Sequence, residues 1–382
     1  MQQLVINGTK LRLQRLPSLP NETLLAWDAA DELALQAHEL PRGNRLVLND
    51  HFGALACGLA VSAPNAPLYW VNDSRTSHQA LQSNLERNGI VHPIQTDAEI
   101  RRDKPNPLGV LLKLPRNMRL LTAQLDWLNK NLPQGTPLVI AARQKDMPTT
   151  LPDLTRRLLD AVRPSRAVKK ARLIYGQLSG RTSGQGEITE WYCEQVGSLL
   201  SHFPNVYGSQ RLDSGARLLL QNLGSIPNRV VDLGCGNGVL SLAALRANPE
   251  CQLLAVDESW DAIRSSRLNL ERFRNGDPFN LDTAVSAVSR LKLIWSNGLS
   301  EVQAEPVDLV LCNPPFHQHQ TVTDLVAWQL FKDARQILKT GGRLRMVGNR
   351  HLGYHAKLSK LFGQCQIIAV NPKFVVLETV KR

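Results

Sequence analysis

The feature that most constrains the fold of this chain is a repeat. Shifted by 185 residues, Arg45–Leu55 matches the pattern of Val230–Leu240, with Gly53-Ala54-Leu55 falling on Gly238-Val239-Leu240. At the same shift Asn84-Leu85-Glu86-Arg87 falls on the identical tetrapeptide Asn269-Leu270-Glu271-Arg272. Two matches in one register, each flanked by strand and helix patterns, imply two tandem copies of one α/β domain. A length of 382 residues holds two such copies comfortably, each with an ample core. The Gly/Ser-rich stretch Ser179–Gly186 reads as the linker, dividing the chain into residues 1–185 and 186–382.

The second copy is the more regular. Strands are expected at 229–233, 252–257, 291–296, 307–312, 343–348, 364–370 and 373–379. Helices near 237–248, 259–273, 321–339 and 352–362 fall between most of them. This alternation requires right-handed crossovers and a mostly parallel seven-stranded sheet covered on both faces. Only Asn371-Pro372 separates the last two strands, too little for a crossover, so the final strand must be antiparallel. A further helix over Leu212–Leu220, capped by Asp213 or Ser214, precedes the first strand. At the start of the chain only an amphipathic segment, Leu24–Leu40, stands out, with Trp27 assigned to the core.

Chemistry concentrates at the strand ends of the second copy. Asp308-Leu309-Val310-Leu311-Cys312 is a buried strand that stops at Asn313-Pro314-Pro315-Phe316, where the chain can neither extend the strand nor enter a helix normally. Ligands of α/β proteins bind outside the carboxyl ends of parallel strands. There Asn313 offers a side-chain carbonyl, Pro314 a main-chain carbonyl, and Phe316 a flat apolar face. Two acceptors and a stacking plate suit a planar ring carrying an amino group. Upstream, Asp232-Leu233-Gly234-Cys235-Gly236-Asn237-Gly238 joins a strand to a helix with glycines at alternate positions, unlike the spacing of dinucleotide binders. Asp257 ends the next strand, where a carboxylate can take both hydroxyls of a ribose.

The copies differ where chemistry would lie. Asn49 and His51 replace Gly234 and Gly236, so side chains fill the space a ligand would need. Asn72 takes the position of Asp257, with Asp73 adjacent. Leu108–Arg116, the counterpart of the Asn-Pro-Pro strand, keeps one proline and lacks the asparagine, second proline and aromatic. What the first copy keeps is charge. Residues 1–185 carry 24 Lys plus Arg against 15 Asp plus Glu, or +9 of the total +12. Arg163, Arg166, Lys169, Lys170 and Arg172 crowd ten residues, near Arg156 and Arg157, with Arg101, Arg102 and Lys104 on another loop. A pI near 9.7 fits an anionic partner, and backbone phosphates would explain the asymmetry. Nucleic acid is favoured over membrane, since no stretch approaches the roughly 18 consecutive apolar residues of a spanning helix. Six cysteines without C-x-x-C pairing and no signal-like leader give an expected reducing cytoplasm. His317 and His319 have no further ligands nearby, so no metal is expected.

The alternate-glycine loop resembles the S-adenosylmethionine loop of class I, Rossmann-like methyltransferases, and the antiparallel last strand is the mark of their sheet. With the duplication, the chain resembles the ribosomal RNA guanine-N2 methyltransferases over essentially its whole length. The most particular stretches are Leu212–Arg217, Val231–Gly238, Val256–Ser259, Leu311–Gln318, Gly348–Leu352 and Lys373–Leu377. The resemblance implies S-adenosylmethionine held by Asp232, Gly234, Gly236, Gly238, Asp257, Asn297 and Asn313, with Asn297 near the adenine. It implies catalysis by Asn313, Pro314 and Phe316, and a first copy that helps hold RNA. Overall similarity favours the large ribosomal subunit over the small, and a monomer is the default. Arg350 and His351 are open between substrate contact and a helix start.

Two other readings use the same residues differently. Asn-Pro-Pro-aromatic also serves protein glutamine and DNA adenine methyltransferases; the basic duplicate weighs against the first, and the absence of a target-recognition region against the second. An RNA-binding assembly factor without catalysis would show decay in the second glycine loop, and none is visible.

Overall fold

The computed structural model describes residues 3–18, 23–37, 43–100, 107–208, 211–276, 290–315 and 320–382. Phe316, His317, His319, Arg101, Arg102 and Lys104 lie outside them. The chain separates into two compact units, Met1–Glu187 and Ile188–Arg382.

The first unit opens with a hairpin of β1 (Leu4–Ile6) and β2 (Thr9–Leu11), turned at Asn7-Gly8 with both residues left-handed. The sequence reading passed over this two-residue signal. Then come α1 (Ala29–Leu35), β3 (Arg45–Leu48), α2 (Ala54–Ser62), β4 (Leu68–Val71), α3 (Arg75–Arg87) and β5 (Ile94–Asp97). They are followed by β6 (Gly109–Lys113), α4 (Met118–Asn131), β7 (Pro137–Arg143), α5 (Leu151–Leu158), β8 (Leu159–Pro164) and β9 (Ala171–Leu178). The sheet order is β5-β4-β3-β6-β7-β9-β8, with β9 antiparallel to both its neighbours.

The second unit begins with an antiparallel pair, β10 (Thr189–Cys193) and β11 (Ser198–His202), and then α6 (Ser214–Gln221). Its sheet is built from β12 (Arg229–Leu233), β13 (Gln252–Asp257), β14 (Leu291–Trp295), β15 (Val307–Cys312), β16 (Leu338–Asn349), β17 (Gln366–Val370) and β18 (Phe374–Val380). The order β14-β13-β12-β15-β16-β18-β17 is that of the first unit strand for strand, with β18 antiparallel. Between them run α7 (Val239–Ala247), α8 (Trp260–Gly276), α9 (Gln320–Ile337) and α10 (Tyr354–Phe362). The central strands carry near-continuous apolar runs because both faces are covered: Val230 and Leu311 enter one core cluster, Val231 and Cys312 the other.

The 185-residue repeat extends further than the sequence reading took it. Asp28 N-caps α1 and Asp213 N-caps α6, one repeat apart, each accepting from backbone N–H groups two and three residues on. Gly53 and Gly238 both open their helices with left-handed backbone, and a Cβ at either would strike the residue one repeat-partner away, Leu81 or Ser266.

Strand register also shows what fills the site end of the first sheet. Leu48 pairs with Leu112 as Leu233 pairs with Cys312, so Lys113 stands where Asn313 stands. Its ammonium donates to Asp28 at 2.8 Å and to Asp31, with side chains 11% exposed for Lys113 and 8% for Asp31. Burial opposes the charge on Lys113, but the two carboxylates offset it and hold its pKa above the usual ammonium value. Burial pushes Asp31 up to about 7, against the pull of Lys113. Asn49, left-handed and buried, donates from Nδ2 to the Lys113 carbonyl at 3.0 Å, whereas His51 is exposed. Removing one partner of a buried ion cluster strands the others, so Lys113→Met should destabilise the first unit by about 3–5 kcal/mol. Denaturant unfolding of the full chain would show this as an earlier transition for that unit alone.

Candidate active site

The carboxyl edge of the second sheet is organised by the turn after β12. Gly234, Gly236 and Gly238 have φ of 79°, 56° and 79°, a region L side chains rarely enter. A Cβ on Gly238 would lie 2.9 Å from Ser266 Oγ, so this glycine also serves helix packing. At Gly234 and Gly236 a Cβ would meet nothing within 4 Å, so the backbone there faces open space. Gly234 and Cys235 donate to the Val256 carbonyl at 2.8 and 3.0 Å, pinning the turn to β13. Asp257, at the end of β13, accepts from Gly236 N and from Ser259 N, each at 2.9 Å. Its carboxylate thus ties the glycine turn to the start of α8.

Asp232 lies beneath the turn. It is completely buried, and its Oδ2 accepts from Ser241 Oγ at 2.6 Å, joining β12 to α7. Burial pushes its pKa up to about 7. Its Oδ1 is buried with no hydrogen-bond partner among the described residues. Asn297 follows β14, where Ser296 N donates to the Asp257 carbonyl at 2.9 Å. Left-handed Gly298 then leaves room for Asp333, whose Oδ2 accepts from Leu299 N at 2.9 Å. The turn carrying Asn297 is thus tied to β13 on one side and to α9 on the other.

Asn313 emerges at the end of β15, which pairs with β12 on one side and β16 on the other. Pro314 is buried and Pro315 exposed. Among the described residues the Asn313 Oδ1 is buried with no hydrogen-bond partner, and so is Asn349 Oδ1 at the end of β16. A buried carbonyl left without a donor costs about 1–3 kcal/mol and marks a place where a donor from a ligand fits. Arg350 and His351 follow Asn349 in a single 3-10 turn and are exposed.

Of residues 187–225 the sequence reading placed only the helix over Leu212–Leu220. The same residues hold a support for the turn. His202, at the end of β11, is fully buried and stacks on Trp191 with ring centroids 5.4 Å apart. Its Nε2 meets Asn237 Nδ2 at 2.8 Å, inside the glycine turn. Asn237 Oδ1 accepts from Val239 N, so Nδ2 is the donor and Nε2 must be unprotonated. Asn269, from the repeated tetrapeptide, clamps the same region: Nδ2 donates to the carbonyls of Asn237 and Ser201, and Oδ1 accepts from Ser201 N. The alternation of Thr189–Cys193 and Ser198–His202 around Gly197 was the missed signal for this hairpin.

The first unit forms the same edge with opposite hydrogen-bond sense. Asn72, not Asp73, takes the place of Asp257: its Oδ1 accepts from Ser74 N, but its Nδ2 donates to the Asp50 carbonyl where Asp257 accepts. The five basic residues lie along the β8–β9 hairpin. Arg163, Arg166, Lys169 and Lys170 are exposed and Arg172 is half-buried. Arg163 lies over the Tyr175 ring at 4.6 Å, and Lys169 pairs with Glu32 at 2.7 Å. Among the described residues no group of three or more His, Cys, Asp or Glu could hold a metal ion, and no helix is long and apolar enough to cross a membrane.

Comparison with known proteins agrees with this architecture. Residues 198–378 match the family model described as Methyltransferase small domain, and residues 1–180 match the RLMG N-terminal domain. A relative from Magnetococcus marinus, named Ribosomal RNA large subunit methyltransferase G, is 62% identical over 381 residues, with all of both chains covered. A relative of the same name from Pectobacterium atrosepticum is 42% identical, covering all of this chain and 99% of its own. A T. thermophilus 16S rRNA N2 methyltransferase, solved with AdoMet and guanosine, shares the fold at 20% identity. It covers 100% of this chain and 98% of its own, with a TM-score of 0.76.

His202→Phe keeps a ring against Trp191 but removes the acceptor for Asn237. This variant is expected to lose about 1–2 kcal/mol of stability. Amide exchange at Gly234–Gly238 should quicken while that of β12 and β15 is unchanged, measured by hydrogen–deuterium exchange.

Proposed function

The chain belongs to the family of ribosomal RNA large subunit methyltransferase G, and from that premise we infer that its second unit methylates the exocyclic N2 of a guanine in large-subunit, 23S, ribosomal RNA. The observation that carries this reading is the Asn313 Oδ1, without a partner among the described residues, beside a glycine turn open at the Cβ positions of Gly234 and Gly236. One edge of one sheet then offers a ligand-accessible backbone and a buried acceptor waiting for a donor. The S-adenosylmethionine implied by the family supplies, when bound, an electrophilic methyl on a sulfonium. The residues present fit it: Gly234 and Gly236 leave room against the backbone, Gly238 fixes the start of α7, and Asp257 sets a carboxylate, the group that takes ribose hydroxyls, against the same turn. Asp232 shapes the turn, and Asn297 lies on the turn following β14.

Guanine N2 is a weak nucleophile because its lone pair is delocalised into the ring. In this reading Asn313 Oδ1 and the Pro314 carbonyl each accept one N2–H, which holds the amino group with its lone pair facing the methyl; one of the two N2–H protons then leaves to water as the N–C bond forms. Positioning of this kind supplies on the order of 7–11 kcal/mol at best, without a strong base. Phe316 stacks on the unstacked guanine, offsetting part of the flipping cost at roughly 1–3 kcal/mol. No step needs a metal. No cysteine acts as nucleophile: Cys235 and Cys312 are buried, and burial holds both thiols far above their usual range. The first unit, residues 1–185, binds RNA through the β8–β9 hairpin, where Arg163, Arg166, Lys169, Lys170 and Arg172 meet backbone phosphates; the second, 186–382, is catalytic. The protein works in the cytoplasm, as a monomer.

Transfer of labelled methyl to protein-free large-subunit RNA, small-subunit RNA and assembled subunits, with nucleoside analysis, tests the reading. N2-methylguanosine in large-subunit RNA alone is expected. Label confined to small-subunit RNA would move the substrate, and label only in protein would point to glutamine. Asn313→Ala should lower turnover by orders of magnitude with cofactor binding, read by calorimetry, largely kept. Replacing Arg163, Arg166 and Lys170 together by Ala should weaken RNA binding and reduce its salt-dependence slope by about 2–3, near 0.7–0.9 per phosphate contact.

A further inference from the structure

Asn349 closes β16, is 4% exposed, and has a buried Oδ1 with no partner among the described residues. Nothing in the mechanism above uses it. Its direction follows from strand alternation. Met346 packs in the core cluster containing Tyr354, and the missing Cβ of Gly348 faces the Tyr354 ring at 2.5 Å. Val347 packs on the opposite face, with Phe374 and the residues of α6. Asn349 shares that second face. There it pairs across the sheet with Phe374, whose ring lies 3.2 Å from where a Cβ of Gly215, at the start of α6, would sit.

The first unit shows which positions converge at this place. Val110 pairs with Leu138 as Val310 pairs with Leu344, so Arg143 is the counterpart of Asn349 and Lys113 that of Asn313. Asp28, the helix cap, is the counterpart of Asp213. In the first unit these three meet: Lys113 Nζ lies 2.8 Å and Arg143 Nε 3.5 Å from the Asp28 carboxylate. Two cations stand there at positions where, in the second unit, two amide carbonyls have no donor among the described residues.

From this convergence we propose that Asn349 reads the Watson–Crick edge of the target base, its Oδ1 accepting the guanine N1–H beside the N2–H bonds made to Asn313 and Pro314. The proposal rests on the guanine-N2 reading of the site. Guanine presents adjacent donors at N1 and N2, whereas adenine and 2-aminopurine present an acceptor at N1. A row of carbonyl acceptors therefore admits guanine and opposes a base with a lone pair at N1.

The test compares RNA substrates with guanine or 2-aminopurine at the target position. Both carry the N2 amino group, and only guanine carries N1–H. The wild-type chain should prefer guanine in kcat/KM. In Asn349→Leu that preference should fall about 10- to 100-fold, the range for one hydrogen bond to a buried acceptor, through loss on guanine with 2-aminopurine held or raised. Asn349→Asp, which keeps an acceptor, should retain the preference. S-adenosylmethionine affinity, read by calorimetry, should be unchanged in both variants. Equal losses on both substrates, leaving the preference as in the wild type, would overturn the proposal and make Asn349 structural. If the wild-type chain methylates no guanine N2, the functional reading fails first, and with it this role for Asn349.

Discussion

A left-handed backbone at the end of the first sheet strand is the constraint on which the rest of the second unit depends. Three residues within five hold positive φ, and such a turn is stable only when its surroundings fix it. They do so from three sides. Val256 and Asp257 hold it from the neighbouring strand, Ser266 leaves no room for a side chain at Gly238, and His202 and Asn269 grip Asn237 from outside the sheet. The β10–β11 hairpin is thus part of the site, although it contributes no strand to the main sheet.

The two units answer one topological problem with opposite electrostatics. Both bring a turn, a capped helix and two strand ends together at the carboxyl edge. In the second the polar groups there are acceptors, and Asn313 Oδ1 and Asn349 Oδ1 are among those with no donor from the described residues. In the first the same positions carry Lys113 and Arg143, neutralised by Asp28 and Asp31 within the unit. Asn72 donates where Asp257 accepts. Equal folds therefore favour different occupants, and in the first unit the occupant belongs to the chain.

Most of the fold was legible because its signals are local. Apolar runs of five or six residues, glycines at turn positions and the two-residue gap at Asn371-Pro372 each report on their own neighbourhood. The repeat then carried that reading from one unit to the other. What escaped was non-local or short. The equivalence of Asp28 and Asp213 lay in the same register but involves a single residue. The pairing of Lys113 with two acids 82 and 85 residues away leaves no sequence pattern. The glycine turn, Asp257 and Asn313 were legible because backbone approach and acceptor placement demand particular residue types. Asn349 was not, since an asparagine after a strand reads as a turn residue until its burial and empty hydrogen-bonding capacity are known.

The ion cluster around Lys113 also makes the difference between the units one-directional. An asparagine at position 113 alone would strip Asp31 of its ammonium and leave Asp28 facing Arg143 at 3.5 Å. Changing Asp31 first would leave an ammonium half-neutralised in a dry interior. Every single-residue path back toward an open site thus crosses a less stable protein, and only concerted replacement avoids it. A duplicated domain that carries such an ion cluster at this edge is held to it by its own folding stability.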